Sequence, residues 1–226
     1  MHQEKVCIIG MGYVGLTLAV AMSDVGYDVI GIETNNAILE CLRNREAHFS
    51  EVGLNEKLRQ VIEDNKFTFS NSLVDAADAT TYIITVGTPV LDDKSTNFAS
   101  IDGVCNGLKE LLKDGDLVVL RSTIQVGTTE KFVKPILDQS KRKYHLAFCP
   151  ERTLEGKALL ELSELPQIIG AIDDESSKRA NQLFSLLSQE IVNVPSVKTA
   201  ELVKLANNTF RAVSYTHLTL PTIYSV

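Results

Sequence analysis

The segment CPERTLEGK, residues 149–157, brings a cysteine, two glutamates, an arginine and a lysine close together in the chain. A thiol beside paired carboxylates has the composition of a nucleophile with its acid and base. Cys149 nevertheless ends an apolar run, and no histidine or basic residue is placed to lower its pKa, so we expect a packed thiol without a chemical role. The residues of interest are therefore Glu151 and Glu155.

A second segment with chemical potential is GMGYVG, residues 10–15, which follows an apolar run and opens an amphipathic one. In this context the three glycines predict a dinucleotide-binding turn. Gly10 permits the tight turn, Gly12 lets the backbone approach a pyrophosphate, and Gly15 lets the following helix pack closely on the strand. The free N–H groups at the start of that helix would bind the phosphates.

The next apolar run ends in Glu33. An acidic side chain at this position accepts hydrogen bonds from the ribose hydroxyls of NAD, and it repels the 2′-phosphate of NADP. The sequence therefore predicts an NAD site. The alternative is a glycine turn that serves packing alone, with Glu33 as a solvated strand end.

The elements that position these residues follow from the pattern of short apolar runs alternating with longer amphipathic ones, which is typical of βαβ units. The expected strands are 5–10, 27–33, 66–70, 81–86, 116–122, 145–149, 166–172 and 189–194. The expected helices are 14–25, 35–44, 54–64, 100–113, 128–140, 175–188 and 196–213. We predict an α/β fold, a doubly wound, Rossmann-like parallel sheet with helices on both faces.

Bulk composition narrows the classes of partner. The 226 residues carry 22 Lys+Arg against 29 Asp+Glu, a formal charge of -7, which argues against nucleic acids and anionic membranes. No apolar run approaches the roughly 18 residues that span a bilayer, so we expect a cytoplasmic protein. The 4 cysteines and 4 histidines are scattered without metal-ligand spacing, and we expect no metal site.

Three segments lie at the carboxyl ends of predicted strands: TVGTPV (85–90), RSTIQVGTT (121–129) and CPERTLEGK. Together with GMGYVG and ELVKLANNTF (201–210), they resemble the UDP-glucose/GDP-mannose dehydrogenase family of nucleotide-sugar 6-dehydrogenases, over residues 5 to about 213. The resemblance implies a two-step oxidation of a sugar C6 alcohol to a carboxylate with two NAD molecules. It also implies that a cysteine of a later segment forms the covalent thiohemiacetal and thioester.

The resemblance assigns roles to individual residues. The implied catalytic residues are Thr123, Glu151, Glu155, Lys204 and Asn208. Among them, Thr123 holds a water, Glu155 is the preferred general base for thioester hydrolysis, and Lys204 with Asn208 stabilises the oxyanion. The implied cofactor contacts are Gly10, Gly12, Tyr13, Val14, Gly15, Glu33, Thr88 near the nicotinamide end, and Thr123.

The residue types suit this chemistry on general grounds. Hydride loss from an alcohol needs a base and a donor for the developing oxyanion, and thioester hydrolysis needs an activated water. A glutamate shielded from solvent has its pKa raised toward neutrality, which would suit such a base. Taken singly, the threonines read as turn residues, the glutamates as solvated acids and Lys204 as a surface lysine. Their joint occurrence at strand ends favours the functional interpretation.

The substrate is narrowed by the arginine of PERTLEG and by the following ELPQIIG, which resemble the N-acetylhexosamine dehydrogenases. A UDP-N-acetylmannosamine-type substrate is therefore favoured, with UDP-glucose next. Members of the family are homodimeric or larger, through a long central helix. The apolar stripe of Leu202, Leu205, Ala206 and Phe210 is expected to pack against a partner.

The expected organisation is an NAD-binding Rossmann-like domain over 1–195, the start of the central helix over 196–213, and an atypical segment over 214–226. The last segment, SYTHLTLPTIYSV, combines threonines, tyrosines and Pro221 in a pattern with poor helix propensity. It stands where the family continues its helix toward the cysteine-bearing domain. We therefore expect this chain to bind NAD without turning over substrate by itself.

Two other functions stay open at this point. In a β-hydroxyacid dehydrogenase, Lys204 of KLANN would be the general acid/base for a small hydroxy acid, although GMGYVG, VGTP and CPERTLEG are not features of that class. The other possibility is a non-catalytic NAD-binding fragment. The reading frame that follows residue 213 would distinguish this fragment from a dehydrogenase.

Overall fold

The computed structural model describes residues 4–92 and 96–214. Within these ranges eight strands form one sheet: β1 Lys5–Ile9, β2 Asp28–Ile32, β3 Phe67–Ser70, β4 Thr81–Ile84, β5 Leu117–Leu120, β6 His145–Phe148, β7 Gln167–Ala171 and β8 Ile191–Val194. The helices are α1 Tyr13–Asp24, α2 Asn36–Arg43, α3 Leu54–Glu63, α4 Ala99–Leu111, α5 Lys134–Leu137, α6 Ala158–Glu164, α7 Asp174–Phe184 and α8 Val197–Val213. The expected strands and helices are confirmed with small differences at their ends, except that the expected helix 128–140 consists of a π-helical stretch Thr129–Val133, α5 and a 3-10 turn Asp138–Ser140.

The strand order is β3-β2-β1-β4-β5-β6-β7-β8. The chain leaves β1 toward β2 on one side and returns to β4 on the other, so the order reverses between β1 and β4. Ile9 and Ile84 are partners at the carboxyl ends of these two strands. A crevice outside such a switch point is where open α/β sheets bind ligands.

Helices cover both faces of the sheet, as predicted, because the strands are apolar on both sides. In β1, Val6 and Ile8 belong to one buried cluster, and Cys7 and Ile9 belong to another on the opposite face. Successive residues of a strand point to opposite faces, so this single strand contributes to two cores.

The predicted doubly wound parallel sheet is confirmed, with one antiparallel pairing. β7 pairs antiparallel with β6, whereas the other paired strands of the sheet, β7 with β8 included, run parallel. The connection contains α6, a helix of 7 residues that the sequence analysis did not predict. At about 1.5 Å per residue this helix is too short to return the chain to the edge formed by the amino ends of the parallel strands. The chain therefore re-enters the sheet from the carboxyl edge, which keeps segment 149–157 at that edge.

Helix α8 begins with Ser196, whose side chain accepts a hydrogen bond from the Thr199 N–H. Its first turns are buried at Val197, Ala200 and Glu201, and the remainder is largely exposed. Among the described residues no helix is long and apolar enough to cross a bilayer. The atypical segment 214–226 lies outside the described residues, apart from Ser214.

Candidate functional site

The glycine-rich turn has the geometry that its sequence predicts. Gly10 has a φ of +95°, which favours glycine, and its N–H donates to the Ile32 carbonyl at 2.7 Å. A Cβ on Gly15 would lie 1.8 Å from the carbonyl oxygen of Gly10, so the close packing of α1 requires a glycine there. A Cβ on Gly12 would meet nothing within 4 Å. The space in front of Gly12 is therefore open to a ligand at the N-terminus of α1.

Glu33 lies at the carboxyl end of β2 and lines a cavity of about 580 Å³ together with Gly10 and Gly12. One carboxylate oxygen accepts the Met11 N–H at 2.8 Å, and the other accepts the N–H of Thr34, also at 2.8 Å. These bonds fix the carboxylate beside the glycine turn, and the oxygen that accepts from Met11 can accept a further bond. The cavity, the open Gly12 and the fixed acid fit an adenosine diphosphate group with its ribose at Glu33.

The ends of β4 and β5 are joined through the two threonines that the sequence analysis selected. The Thr88 hydroxyl donates to the Thr123 carbonyl at 2.5 Å, and the Ser122 hydroxyl donates to the Val86 carbonyl at 2.6 Å. The side chain of Thr123 is exposed at the sheet edge. The structure therefore brings Thr88 and Thr123 together.

Glu151 is buried and held from both sides. The guanidinium of Arg121, only 2% exposed, donates to its Oε2 at 2.7 Å and 3.1 Å, and the N–H groups of Arg152 and Thr153 donate to its Oε1. Burial by itself would raise the pKa of Glu151, but Arg121 and the backbone donors outweigh it and hold the pKa below its ordinary value. The expectation that shielding raises the pKa of a loop glutamate is therefore wrong for Glu151.

Glu155 and Cys149, from the same segment, differ from Glu151. Glu155 is exposed, so it is free to contact solvent or a ligand. Cys149 is fully buried, and burial raises the pKa of its thiol to about 12 although Arg121 opposes the shift. A neutral buried thiol has little nucleophilicity, which confirms the structural interpretation of Cys149.

Lys204 of α8 donates through Nζ to the carbonyl oxygen of Glu151, so α8 contacts the loop directly. Burial lowers the pKa of Lys204 to about 8; Glu151 opposes this shift, and Arg121 is among the cations that add to it. Asn208 is exposed one turn further along the same helix. Another turn on, the Arg211 guanidinium donates to the Thr153 carbonyl at 3.3 Å.

Two buried acids near these residues were not found from the sequence. Glu201 accepts hydrogen bonds from the backbone N–H groups of Gly127 and Thr129, and from the Thr129 hydroxyl. An acid on the buried stripe of α8, next to Ala200, was a signal that could have been used. Glu51 contacts segment 149–157, and its position in a loop gave no comparable signal.

The comparisons with known proteins agree with this geometry. Residues 4–188 match the model of the UDP-glucose/GDP-mannose dehydrogenase family, NAD binding domain. The UDP-N-acetyl-D-mannosamine dehydrogenase of Methanococcus aeolicus is 34% identical over 216 residues, which are 93% of this chain and 48% of that protein.

Two solved structures are similar at 29% identity each. The UDP-N-acetyl-mannosamine dehydrogenase of Staphylococcus aureus superposes with a TM-score of 0.87, over 93% of this chain and 52% of that one. A UDP-glucose dehydrogenase of Pyrobaculum islandicum superposes with a TM-score of 0.89, over 94% and 51%. The chain spans about half the length of the curated relatives that it matches. By this family match, the chain belongs to the UDP-glucose/GDP-mannose dehydrogenase family and carries its NAD-binding domain.

Proposed function

We propose that this chain is the NAD-binding part of a nucleotide-sugar 6-dehydrogenase that oxidises the C6 alcohol of a UDP-sugar to the uronic acid. The observation that carries the proposal is that the dinucleotide turn and the loop of ionisable residues 149–157 are in contact at the carboxyl edge of the sheet. Tyr13, the first residue of α1, donates to the Leu154 carbonyl at 3.3 Å, and Lys204 donates to the Glu151 carbonyl. The dinucleotide turn and the loop of ionisable residues thus form one continuous site.

The cofactor would be held by the turn Gly10–Gly15, where the N–H groups at the start of α1 bind the diphosphate and Glu33 accepts from the ribose hydroxyls. Tyr13 and Val14 lie at this helix start, and Thr88 would lie at the nicotinamide end. Bound NAD supplies the acceptor for the hydride that leaves C6.

On the substrate side, Lys204 with its pKa of about 8 is mostly protonated at neutral pH, so it can stabilise negative charge on the C6 oxygen, assisted by the Asn208 amide. Thr123 can orient a water, and the exposed Glu155 can take its proton. Glu151 is committed to Arg121 and to the backbone, so we assign it the positioning of the loop rather than proton transfer.

The substrate is a UDP-sugar, with UDP-N-acetylmannosamine favoured over UDP-glucose, in agreement with the names of the relatives reported above. Because the chain spans about half of those relatives, the complete reaction is proposed for the whole protein. The exposed Leu202 and Phe210 of α8 support a homodimeric or larger assembly through this helix. All four cysteines are free, which supports the reducing cytoplasm as the compartment.

Fluorescence titration of the chain with NADH and NADPH tests the cofactor site. We expect NADH to bind at least tenfold more tightly, because Glu33 repels the 2′-phosphate. Glu33→Gln should weaken NADH binding about tenfold and reduce the preference, since a hydrogen bond to a charged group contributes about 1.5–3 kcal/mol. Glu40→Gln, an equal change of charge on the exposed face of α2, is the control. A preference for NADPH would contradict the assignment.

Calorimetric titration of the NAD-saturated chain with UDP-N-acetylmannosamine, UDP-glucose and 3-hydroxybutyrate tests the substrate class. The UDP-sugars should bind, and Lys204→Ala should lower the affinity of the chain for them. Binding of the hydroxy acid alone would favour the β-hydroxyacid dehydrogenase alternative, against which the family match stands.

A further inference from the structure

We propose that Glu51 is a positioning residue that fastens segment 151–157 to the N-terminus of α1, so that an occupied dinucleotide turn orders the loop carrying Glu155. The contacts of Glu51 in the free protein carry the first part. The second part rests on the proposed function, because it requires NAD at the turn Gly10–Gly15.

Glu51 is 9% exposed, and its carboxylate accepts hydrogen bonds from α1, from the loop and from the start of α6. Its Oε2 accepts from the Tyr13 hydroxyl and from the Gly156 N–H at 2.7 Å. Its Oε1 accepts from the Ala158 N–H at 2.9 Å. Two of the three donors belong to the loop and to the start of α6, and the third belongs to the first residue of α1.

At the loop, the first N–H groups of α6 need a hydrogen-bond acceptor from outside the helix. Ala158 is the first residue of α6, and Lys157 at the N-cap provides no side-chain hydrogen bond to the helix. The first N–H groups of a helix have no partner within it. Glu51 therefore performs the capping role for α6, and in doing so it fixes Gly156 next to Glu155.

The other end of this contact touches the cofactor site. Tyr13 follows Gly12 directly, and its ring packs on Phe49 with the centroids 4.8 Å apart. The Tyr13 hydroxyl also reaches the Leu154 carbonyl at 3.3 Å. A diphosphate bound at the helix start would restrain the backbone of Tyr13, and through the hydroxyl it would restrain Glu51 and the loop.

The segment around Glu51 extends this connection to the ribose end of the cavity. The ring of His48 packs edge-on against Phe49 with the centroids 4.8 Å apart, and burial lowers the pKa of His48 while the negative charge of Glu33 opposes that shift. Residues 48–51 thus lie along Tyr13 through Phe49 and reach the loop of Glu155 through Glu51.

The test is hydrogen exchange of the Gly156 and Ala158 amides, followed by NMR, in the wild-type chain and in three variants. Glu51→Gln keeps the shape of the side chain but replaces one acceptor oxygen by an NH₂ group, which cannot accept. Tyr13→Phe removes the two hydroxyl contacts of α1, with Glu51 and with the Leu154 carbonyl of the loop. Glu56→Gln, an equal change of charge on exposed α3, is the matched control.

Without cofactor, we expect Glu51→Gln to accelerate exchange at Gly156 and Ala158 at least tenfold, while amides of β1 and β4 keep the wild-type rate. Glu56→Gln should behave as wild type. Unchanged exchange at the two loop amides in Glu51→Gln would overturn the positioning role. If Glu51→Gln does not fold, Glu51→Asp, whose carboxylate is one methylene shorter, takes its place, with faster exchange at the two amides expected and wild-type exchange overturning the role.

With NADH at concentrations that give equal occupancy of both proteins, set by fluorescence titration, exchange at the two loop amides should slow further in wild type, about threefold or more, and this extra protection should disappear in Tyr13→Phe. A merely structural Glu51 would not produce extra protection that depends on NADH. Equal protection in both proteins would therefore overturn the coupling. If wild type does not bind NADH, the proposed function fails, whereas the comparison without cofactor still decides the role of Glu51.

Discussion

The amine of Lys204 donates to the loop carbonyl of Glu151 and experiences the positive charges of Arg121, Arg152 and Arg211. Burial is the largest cause of its lowered pKa, and the arginines add to it. A rise in pH through about 8 therefore removes the charge that the proposed oxyanion contact requires. Below that pH the charge is present.

This leads to a prediction for the Lys204 titration. After reductive ¹³C-methylation, one lysine resonance should titrate near pH 8, and it should be missing from Lys204→Arg. Lys178, fully exposed and paired with Glu175, is the internal reference, since the pKa of Lys178 is raised by that contact. Titration of Lys204 in the same pH range as Lys178 would contradict the buried position.

The thiols give a second prediction at this scale. Cys7, Cys105 and Cys149 are buried, and burial raises the pKa of each to about 12, whereas Cys41 is partly exposed. Because the thiolate is the reactive form, iodoacetamide at pH 8 should label Cys41 at least about 100-fold faster than the others. Peptide mass spectrometry of the native protein measures this, and early labelling of Cys149 would show that its position is accessible.

Among the elements, α8 is attached to the β5–α5 connection by the buried Glu201, which accepts from Gly127 and Thr129. This attachment places Lys204, one turn later, at the loop. The connection also carries Thr123. Glu201 therefore sets the distance between two residues of the proposed substrate side without contacting the substrate.

We predict that Glu201→Ala lowers the free energy of unfolding by about 2–4 kcal/mol, because buried N–H and hydroxyl donors lose their acceptor. Glu130→Ala, which removes an exposed ion pair with Lys198, should cost less than about 1 kcal/mol. Urea denaturation of both variants gives the comparison. Equal effects would mean that the Glu201 contacts contribute no more than a surface pair.

At the scale of the whole molecule, cofactor binding should stabilise the folded chain. NADH at 100 times its dissociation constant adds about 2.7 kcal/mol, which for a chain of this size corresponds to a rise in Tm of about 5–11 °C. Differential scanning fluorimetry with NADH and with NADPH at equal concentration provides the measurement. A larger shift with NADPH, or none with either, would contradict an NAD site at Glu33.

The fold was largely predictable because its signals are local. The apolar strands, the glycine turn and Glu33 lie in continuous patterns, and the spacing of Gly10, Gly12 and Gly15 follows from the covalent geometry of the turn. The reversal at β7 was not predictable in this way, because α6 is short and differs from a loop by only a few residues.

The site was predictable only in part. Thr88, Thr123 and Lys204 come from short motifs, but their roles rest on the family resemblance and stay predictions. The low pKa of Glu151 depends on Arg121, which lies 30 positions earlier in the chain. Glu51 and Glu201 depend on partners still further away, and no periodicity links such pairs.

The contact between Glu51 and Gly156 also has a consequence for folding during synthesis on the ribosome. The two residues are 105 positions apart, so at about 5–20 residues per second the ribosome needs about 5–20 s to add the second after the first. Throughout that interval the β1–α1–β2 unit exists with a carboxylate whose loop donors have not yet been made. The nascent domain must keep Glu51 hydrated until β6 and α6 emerge, which places the completion of the cofactor side late in synthesis although its glycines are made first.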